Sequence, residues 1–195
     1  MARHAQNRYW RWKLSDAIDW VVDVEATEGE AEALAEKVVD WLVSEGIILR
    51  STRKNMWRRC GPLYEVGPRA AEWSVQVDSG VAQCGLDVLC ERTVFHTGDN
   101  GLQRFRCPNC SALHEPDALP WGDAVGAWLE AKPDSTLKCS VCNNVSPITA
   151  WHFLELAWGF GNLGFGFNNW AITARLATAI AELVGHRMQV VHEHI

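Results

Sequence analysis

Two cysteine pairs constrain this chain more than any other feature: Cys107-Pro-Asn-Cys110 and Cys139-Ser-Val-Cys142, separated by residues 111–138. Two intervening residues let a tight turn bring both sulfurs of a pair to one side of the backbone, where backbone N–H groups can stabilise thiolate charge. Two such turns supply the four corners of a closed tetrahedral site, the donor set of a structural zinc ion. Phe105 and Arg106 lead into the first pair as strand residues would, and Pro108 pre-sets its turn. Whatever fold forms must therefore bring residues 107–110 and 139–142 together. Four thiolates leave no coordination position open for water or substrate, so one Zn2+ is expected to stabilise folding and to do no chemistry. A redox role fits poorly, because neither pair lies between a strand and a long helix in a βαβ setting. His114, four residues beyond Cys110, could replace a cysteine, but the thiols already fill the sphere.

The pattern resembles the zinc-ribbon family, in which two knuckles at the tips of strand hairpins clamp one zinc ion. The resemblance covers residues 105–145 and implies Cys107, Cys110, Cys139 and Cys142 as ligands. It departs from a compact ribbon in its Trp-containing insert between the knuckles. Zinc ribbons serve polymerases, nucleases, translation factors and protein adaptors alike, so what it implies is metal and local structure rather than an activity.

The other cysteines, Cys60, Cys84 and Cys90, are scattered and read as buried thiols in a reducing compartment. No apolar run approaches a membrane span, and the N-terminus, with Arg3, His4, Arg8 and Arg11, lacks the apolar region of a signal peptide. A cytoplasmic protein without membrane association is expected. Net charge is -6, which disfavours a protein dedicated to wrapping nucleic acid. The charge is unevenly placed. Ten acidic residues between Asp16 and Glu45 face one lysine, Lys37, whereas Arg50, Arg53, Lys54, Arg58 and Arg59 follow with no acid among them. The acidic stretch suits a basic partner and the basic stretch an acidic one, unless the two partly neutralise each other as a solvated face and its neighbouring loop. Tryptophan is abundant, 11 residues against 2 tyrosines, and so many large rings suggest that some line a groove or an interface.

Along the chain, Tyr9, Trp10 and Trp12 interleave with Arg8, Arg11 and Lys13, an arm that packs its rings on the domain or stacks them on bases. Thr27 and Glu30 form a T-x-x-E capping box, and Ala31, Leu34, Ala35, Val38, Trp41 and Leu42 share one helical face that ends before Gly46. Glu28, Glu32, Glu36 and Asp40 form an acidic ridge on the opposite face. Ile47–Leu49 and Leu63–Val66 read as two strands joined by the basic loop, a wing-like unit, with a short helix at Arg69–Trp73. A hairpin is expected over Leu86–Arg106, turning at Asp99-Asn100-Gly101 and delivering Cys107 to the metal. Trp121, Val125, Trp128 and Leu129 predict a short helix behind Pro120. From Trp158 to Trp170 glycine alternates with aromatics. The embedded Gly159-x-Gly161-x-x-Gly164 lacks the strand-then-helix setting of a dinucleotide loop. Phe160, Phe165, Phe167 and Trp170 form either core or an exposed ledge for a partner. A helix over Trp170–Leu183, closed by Gly185, and a final strand at Met188–Val191 complete the reading.

The expected class is α+β: amphipathic helices on short antiparallel hairpins with an inserted four-cysteine site. The expected division is a wing-like region, 1–82, and a zinc-hairpin region with the Trp-containing insert and the C-terminal helix and strand, 83–195, with one compact unit as the alternative. No GxSxG or HExxH motif occurs, and His152 with Glu155 on a possible helix offers too few ligands for a catalytic metal. The leading functional expectation is a non-enzymatic, zinc-stabilised protein-interaction protein, in a specific form a bacterial-style immunity or antitoxin protein that meets a basic partner with its acidic surface. The alternative is a zinc-ribbon nucleic-acid binder using the Arg50–Arg59 stretch, and an enzyme with an unrecognised site comes third.

Overall fold

The computed structural model describes residues 17–54, 62–98 and 101–195. The chain enters on β1 (Ala17–Asp23), whose alternation sends Ile18, Trp20 and Val22 to one face and Asp19, Val21 and Asp23 to the other. Helix α1 (Ala31–Ser44) follows. It begins four residues later than the capping box suggested, because Thr27–Glu30 closes a turn of its own. The Glu30 carboxylate there accepts from the Thr27 N–H at 3.1 Å and from its hydroxyl at 2.5 Å. Gly46, at φ +69°, lets the chain leave α1 into β2 (Ile48–Lys54) and back along β3 (Pro62–Val66).

A single 3-10 turn at Ala70–Trp73 leads to β4 (Ser74–Val77), and then come β5 (Gly85–Leu89) and β6 (Thr93–Phe95). β7 (Arg104–Arg106) and β8 (Leu113–His114) flank the first cysteine pair; α2 (Trp121–Leu129) is the insert; β9 (Thr136–Lys138) and β10 (Val145–Pro147) flank the second pair. After β11 (His152–Leu154) and β12 (Gly159–Gly161) the chain returns through β13 (Leu163–Asn168), β14 (Trp170–Ile172), α3 (Ala174–Val184) and β15 (Met188–His194).

Six strands form one antiparallel sheet in the order β15-β1-β13-β5-β3-β2. It takes strands from both sides of position 82, so residues 1–82 and 83–195 do not make separate sheets. The wing-like hairpin β2–β3 is the end of this sheet rather than a projecting unit. The expected 86–106 hairpin also gives way: β5 pairs with β13 and β3, β6 with β12, and β7 with β8 and β11. Its arms have better partners elsewhere, since Phe165 and Phe167 offer β5 a buried strand that the 102–106 segment cannot. Of its expected turn, Asp99 and Asn100 lie outside the described residues.

α1 and α3 cover one face of the sheet with a core that includes Val38, Leu42, Leu176 and Ile180 against Val21, Leu86, Phe165 and Phe167. The opposite face carries a smaller cluster of Ile18, Trp20, Val22, Leu89, Phe95 and Val191. β13 explains the glycine–aromatic alternation. Leu163, Phe165 and Phe167 point to the helices, while Gly164 and Gly166 lie under the rings of Phe95 and Trp20. A Cβ at Gly164 would meet Phe95 Cζ at 2.4 Å, and one at Gly166 would meet Trp20 Cη2 at 2.6 Å. Trp170 to Ile172 is strand rather than helix. α3 starts at Ala174 because Thr173, extended at the cap, accepts from the Leu176 N–H, and it ends where Gly185 turns left-handed at φ 84°.

Candidate metal centre

Each cysteine pair sits at the tip of a two-stranded hairpin. β7 and β8 pair with Phe105 opposite His114, and β9 and β10 pair with Lys138 opposite Val145. The two tips repeat each other bond for bond. Cys107 N–H donates to Ala112 O at 3.0 Å and Ser111 N–H to Cys107 O at 3.0 Å; Cys139 N–H donates to Asn144 O at 2.9 Å and Asn143 N–H to Cys139 O at 3.0 Å. Asn109 N–H reaches Cys107 Sγ and Val141 N–H reaches Cys139 Sγ, both at 3.4 Å. Just past each second cysteine the backbone turns left-handed, at Ser111 and Asn143, both with φ 61°. Asparagine tolerates that region more readily than serine.

The four sulfurs lie within 4.8 Å of one another. Across the knuckles Cys107 and Cys142 are 3.8 Å apart and Cys110 and Cys139 3.7 Å. A tetrahedral ion bound at about 2.3 Å by each sulfur requires an edge of about 3.8 Å; these two edges match it, and the four sulfurs together could hold a metal ion such as zinc. Burial alone would raise the Cys107 thiol, but the N–H groups of Cys110 and Asn109 and the thiols of Cys139 and Cys110 outweigh it and lower it to about 6. Cys110 gains from the Ala112 N–H, yet desolvation and the thiols of Cys142, Cys107 and Cys139 push it up to about 12. The Cys107 thiolate forms readily; a cation at the centre would favour ionising all four.

His114 supports this cluster rather than replacing a cysteine. Its Nε2 lies 3.4 Å from Cys139 Sγ, and its buried ring stacks on Phe105 and meets Trp151 edge-on. A histidine beside a ligating sulfur orients it and tunes its charge. Asn109 braces the first knuckle to β10 by donating Nδ2–H to Ser146 Oγ at 2.7 Å. Neither contact was legible from spacing, because both cross from one hairpin to the other. The insert is part of the same core: Ala124 and Trp128 of α2 are buried with Phe105, Cys107, Leu137, Cys139, Ile148, Trp151 and Phe160.

The other sequence candidates fall into different places. Glu28, Glu32, Glu36 and Asp40 are all exposed, but Asp40 forms an ion pair with Arg50. Arg53 donates to Ala82 O at 3.2 Å and to Cys84 O at 2.5 Å, and lies 3.9 Å from Glu65, while Lys54 is exposed. Arg58 and Arg59, like the basic aromatic arm at residues 8–13 and Cys60, lie outside the described residues. Of the two readings of the glycine–aromatic segment, burial is the one observed. Phe165 and Phe167 have no exposure, Trp170 has 2% and Phe160 7%, because a strand between two neighbours in a covered sheet puts both its faces in contact with core. His152 and Glu155 share no helix. His152 is in β11, and Glu155, at φ 62°, binds Arg104. His192 pairs with Asp19 at 2.6 Å. Among the described residues the cysteines are the one group of three or more metal-type ligands. No protein-family model, no curated protein and no solved structure matches the chain.

Proposed function

We propose that this chain is a zinc-stabilised protein that acts by association with another protein and not by catalysis. The closed four-thiol cluster carries the reading: a tetrahedral ion there would have every position filled by protein, leaving it to tie β7–β8 to β9–β10. Zinc suits an all-thiolate tetrahedral set, with iron as its chemical competitor. Elemental analysis is expected to find one zinc per chain and no absorption above the aromatic band; stoichiometric iron with visible colour overturns the choice of zinc.

The exposed carboxylates Glu28, Glu32 and Glu36, in a chain of net charge -6, support a basic protein as the partner. Neutralisation of a basic toxin, as by an immunity or antitoxin protein, is the specific form of this reading. The test is affinity capture from native cells with the wild-type chain and with the triple variant E28Q/E32Q/E36Q. A stoichiometric basic partner that the variant fails to retain supports it. Recovery of no partner, or a partner held equally by both, overturns it. The nucleic-acid alternative is weakened by the engagement of Arg50 with Asp40 and of Arg53 with backbone carbonyls. Oligonucleotide titration at low salt is expected to give the same result for the wild-type chain and for R50Q/R53Q; weaker binding by that variant would favour the nucleic-acid reading.

A further inference from the structure

A cleft of about 570 Å3 runs along the seam between the knuckle core and the end of the main sheet. Val24, Ala26 and Gln189 form the sheet side, and rings of the knuckle core form the other. Its charge runs against that of the molecule. The chain has 24 acidic and 18 basic residues, yet the lining carries two arginines, Arg92 and Arg187, and no carboxylate, Glu25 reaching Arg187 from outside it.

Arg92 is pre-positioned. Its Nε–H donates to Trp128 O at 2.6 Å and its guanidinium lies 4.0 Å above the Trp128 ring. That arrangement holds the fork still and leaves its two terminal nitrogens without an acceptor among the described residues. Arg187 is fixed by Glu25, which accepts from its Nε at 2.7 Å and from its backbone N–H at 2.9 Å. Phe153 and Trp158 stack nearly parallel, 5.1 Å between centroids, in the opposite wall. Trp151 and Trp158 of the same wall each bury an indole N–H that meets no acceptor among the described residues. An unmet buried donor costs about 1–3 kcal/mol and is uncommon in folded proteins.

We propose that this cleft binds a nucleotide-sized planar anion, its phosphate taken by Arg92 and Arg187 and its base laid against the Phe153–Trp158 wall. A held guanidinium recognises phosphate through paired N–H donors, and aromatic walls accept any base face. The volume lies within the range of about 300–1,000 Å3 typical of small-molecule sites, enough for one nucleotide and too little for a long acidic segment. The site is distinct from the acidic ridge on α1, so it stands or falls separately from the protein-partner reading. One wall belongs to the metal-clamped core, which makes binding dependent on the ion.

Tryptophan fluorescence and calorimetric titration of the metal-loaded full chain test it, using a nucleoside monophosphate, inorganic phosphate and a 5′-phosphorylated trinucleotide at low and physiological salt. The nucleotide is expected to bind saturably, and roughly tenfold more tightly than phosphate, since a stacked base adds that much or more. Equal affinity for the mononucleotide and the trinucleotide identifies a free nucleotide as the ligand; tighter trinucleotide binding identifies a strand end. R92Q is expected to weaken binding roughly tenfold, by loss of a charge-assisted phosphate contact, and R187Q less, because Glu25 shares its charge. R50Q, away from the cleft, should change nothing. R92Q could disturb the Trp128 packing, so metal content and circular dichroism are measured on it, and the exposed R187Q serves as the second variant. No saturable binding of any nucleotide, or binding unchanged in both R92Q and R187Q, overturns the proposal.

Discussion

Cys107 is the residue on which most depends. It is buried, it is the first cysteine of the β7–β8 knuckle, and its sulfur is held by two backbone N–H groups and two neighbouring thiols. Serine in its place keeps the turn but removes a soft anionic donor. Cys107→Ser should therefore abolish stoichiometric metal and lower the melting temperature by roughly 10 °C or more, as expected for losing several kcal/mol from a domain of this size. Calorimetry with metal analysis checks this, and wild-type melting without metal would refute it. Cys84 behaves in the opposite way. Burial, reinforced by the Asp78 charge, raises its thiol from 9.0 to about 11. The folded chain then holds that proton where the unfolded chain releases it, so Cys84 leaves stability unchanged below about pH 9 and lowers it as pH climbs towards 11. At neutral pH it should resist alkylation until the protein unfolds, which a mass-spectrometric footprint with and without denaturant will show.

At the scale of elements, β13 is the strand that both helices and the opposite core depend on. Its period of two places Phe165 and Phe167 under α1 and α3 and leaves glycine where Trp20 and Phe95 cross the other face. Gly166→Ala would set a methyl 2.6 Å from Trp20 Cη2, and that ring is fully buried and tied through Nε1 to Glu193 at 2.7 Å. The ring has no easy retreat. The substitution should cost about 1–3 kcal/mol by overpacking, read as a shifted midpoint in denaturant unfolding with an unchanged slope. A neutral effect would mean that the Trp20 ring yields.

At the scale of the whole molecule, the two-faced sheet with its helices meets the core of the cysteine hairpins, α2 and β11 along the cleft. Removing the metal should loosen the second more than the first. The helix-side core of the sheet draws on many large buried side chains, whereas the knuckle hairpins have strands of two or three residues, too short to persist without a clamp. Hydrogen exchange after chelation is therefore expected to rise at residues 104–147 while β1 and β13 stay protected. Uniform exchange across both cores would show instead that they unfold as one unit.

The sequence alone determined the features set by short-range rules. The cysteine pairs specified their own turns, Gly185 ended α3, the Trp121–Leu129 insert formed its helix, and Gly46 released α1. Each depends on residues within a turn or two of one another, where backbone sterics and capping decide the outcome. The four-cysteine cluster was legible for the same reason, since the thiol spacing fixes each half and a shared tetrahedral ion would join the halves. Tertiary structure decided the rest. β1 lies between β13 and β15, and strand pairing over such distances depends on which surfaces find burial, which local pattern does not encode. The same competition dissolved the expected 86–106 hairpin, made the glycine–aromatic stretch a central strand, brought His114 against Cys139, and gathered Arg92 and Arg187 on one cleft from positions almost a hundred residues apart.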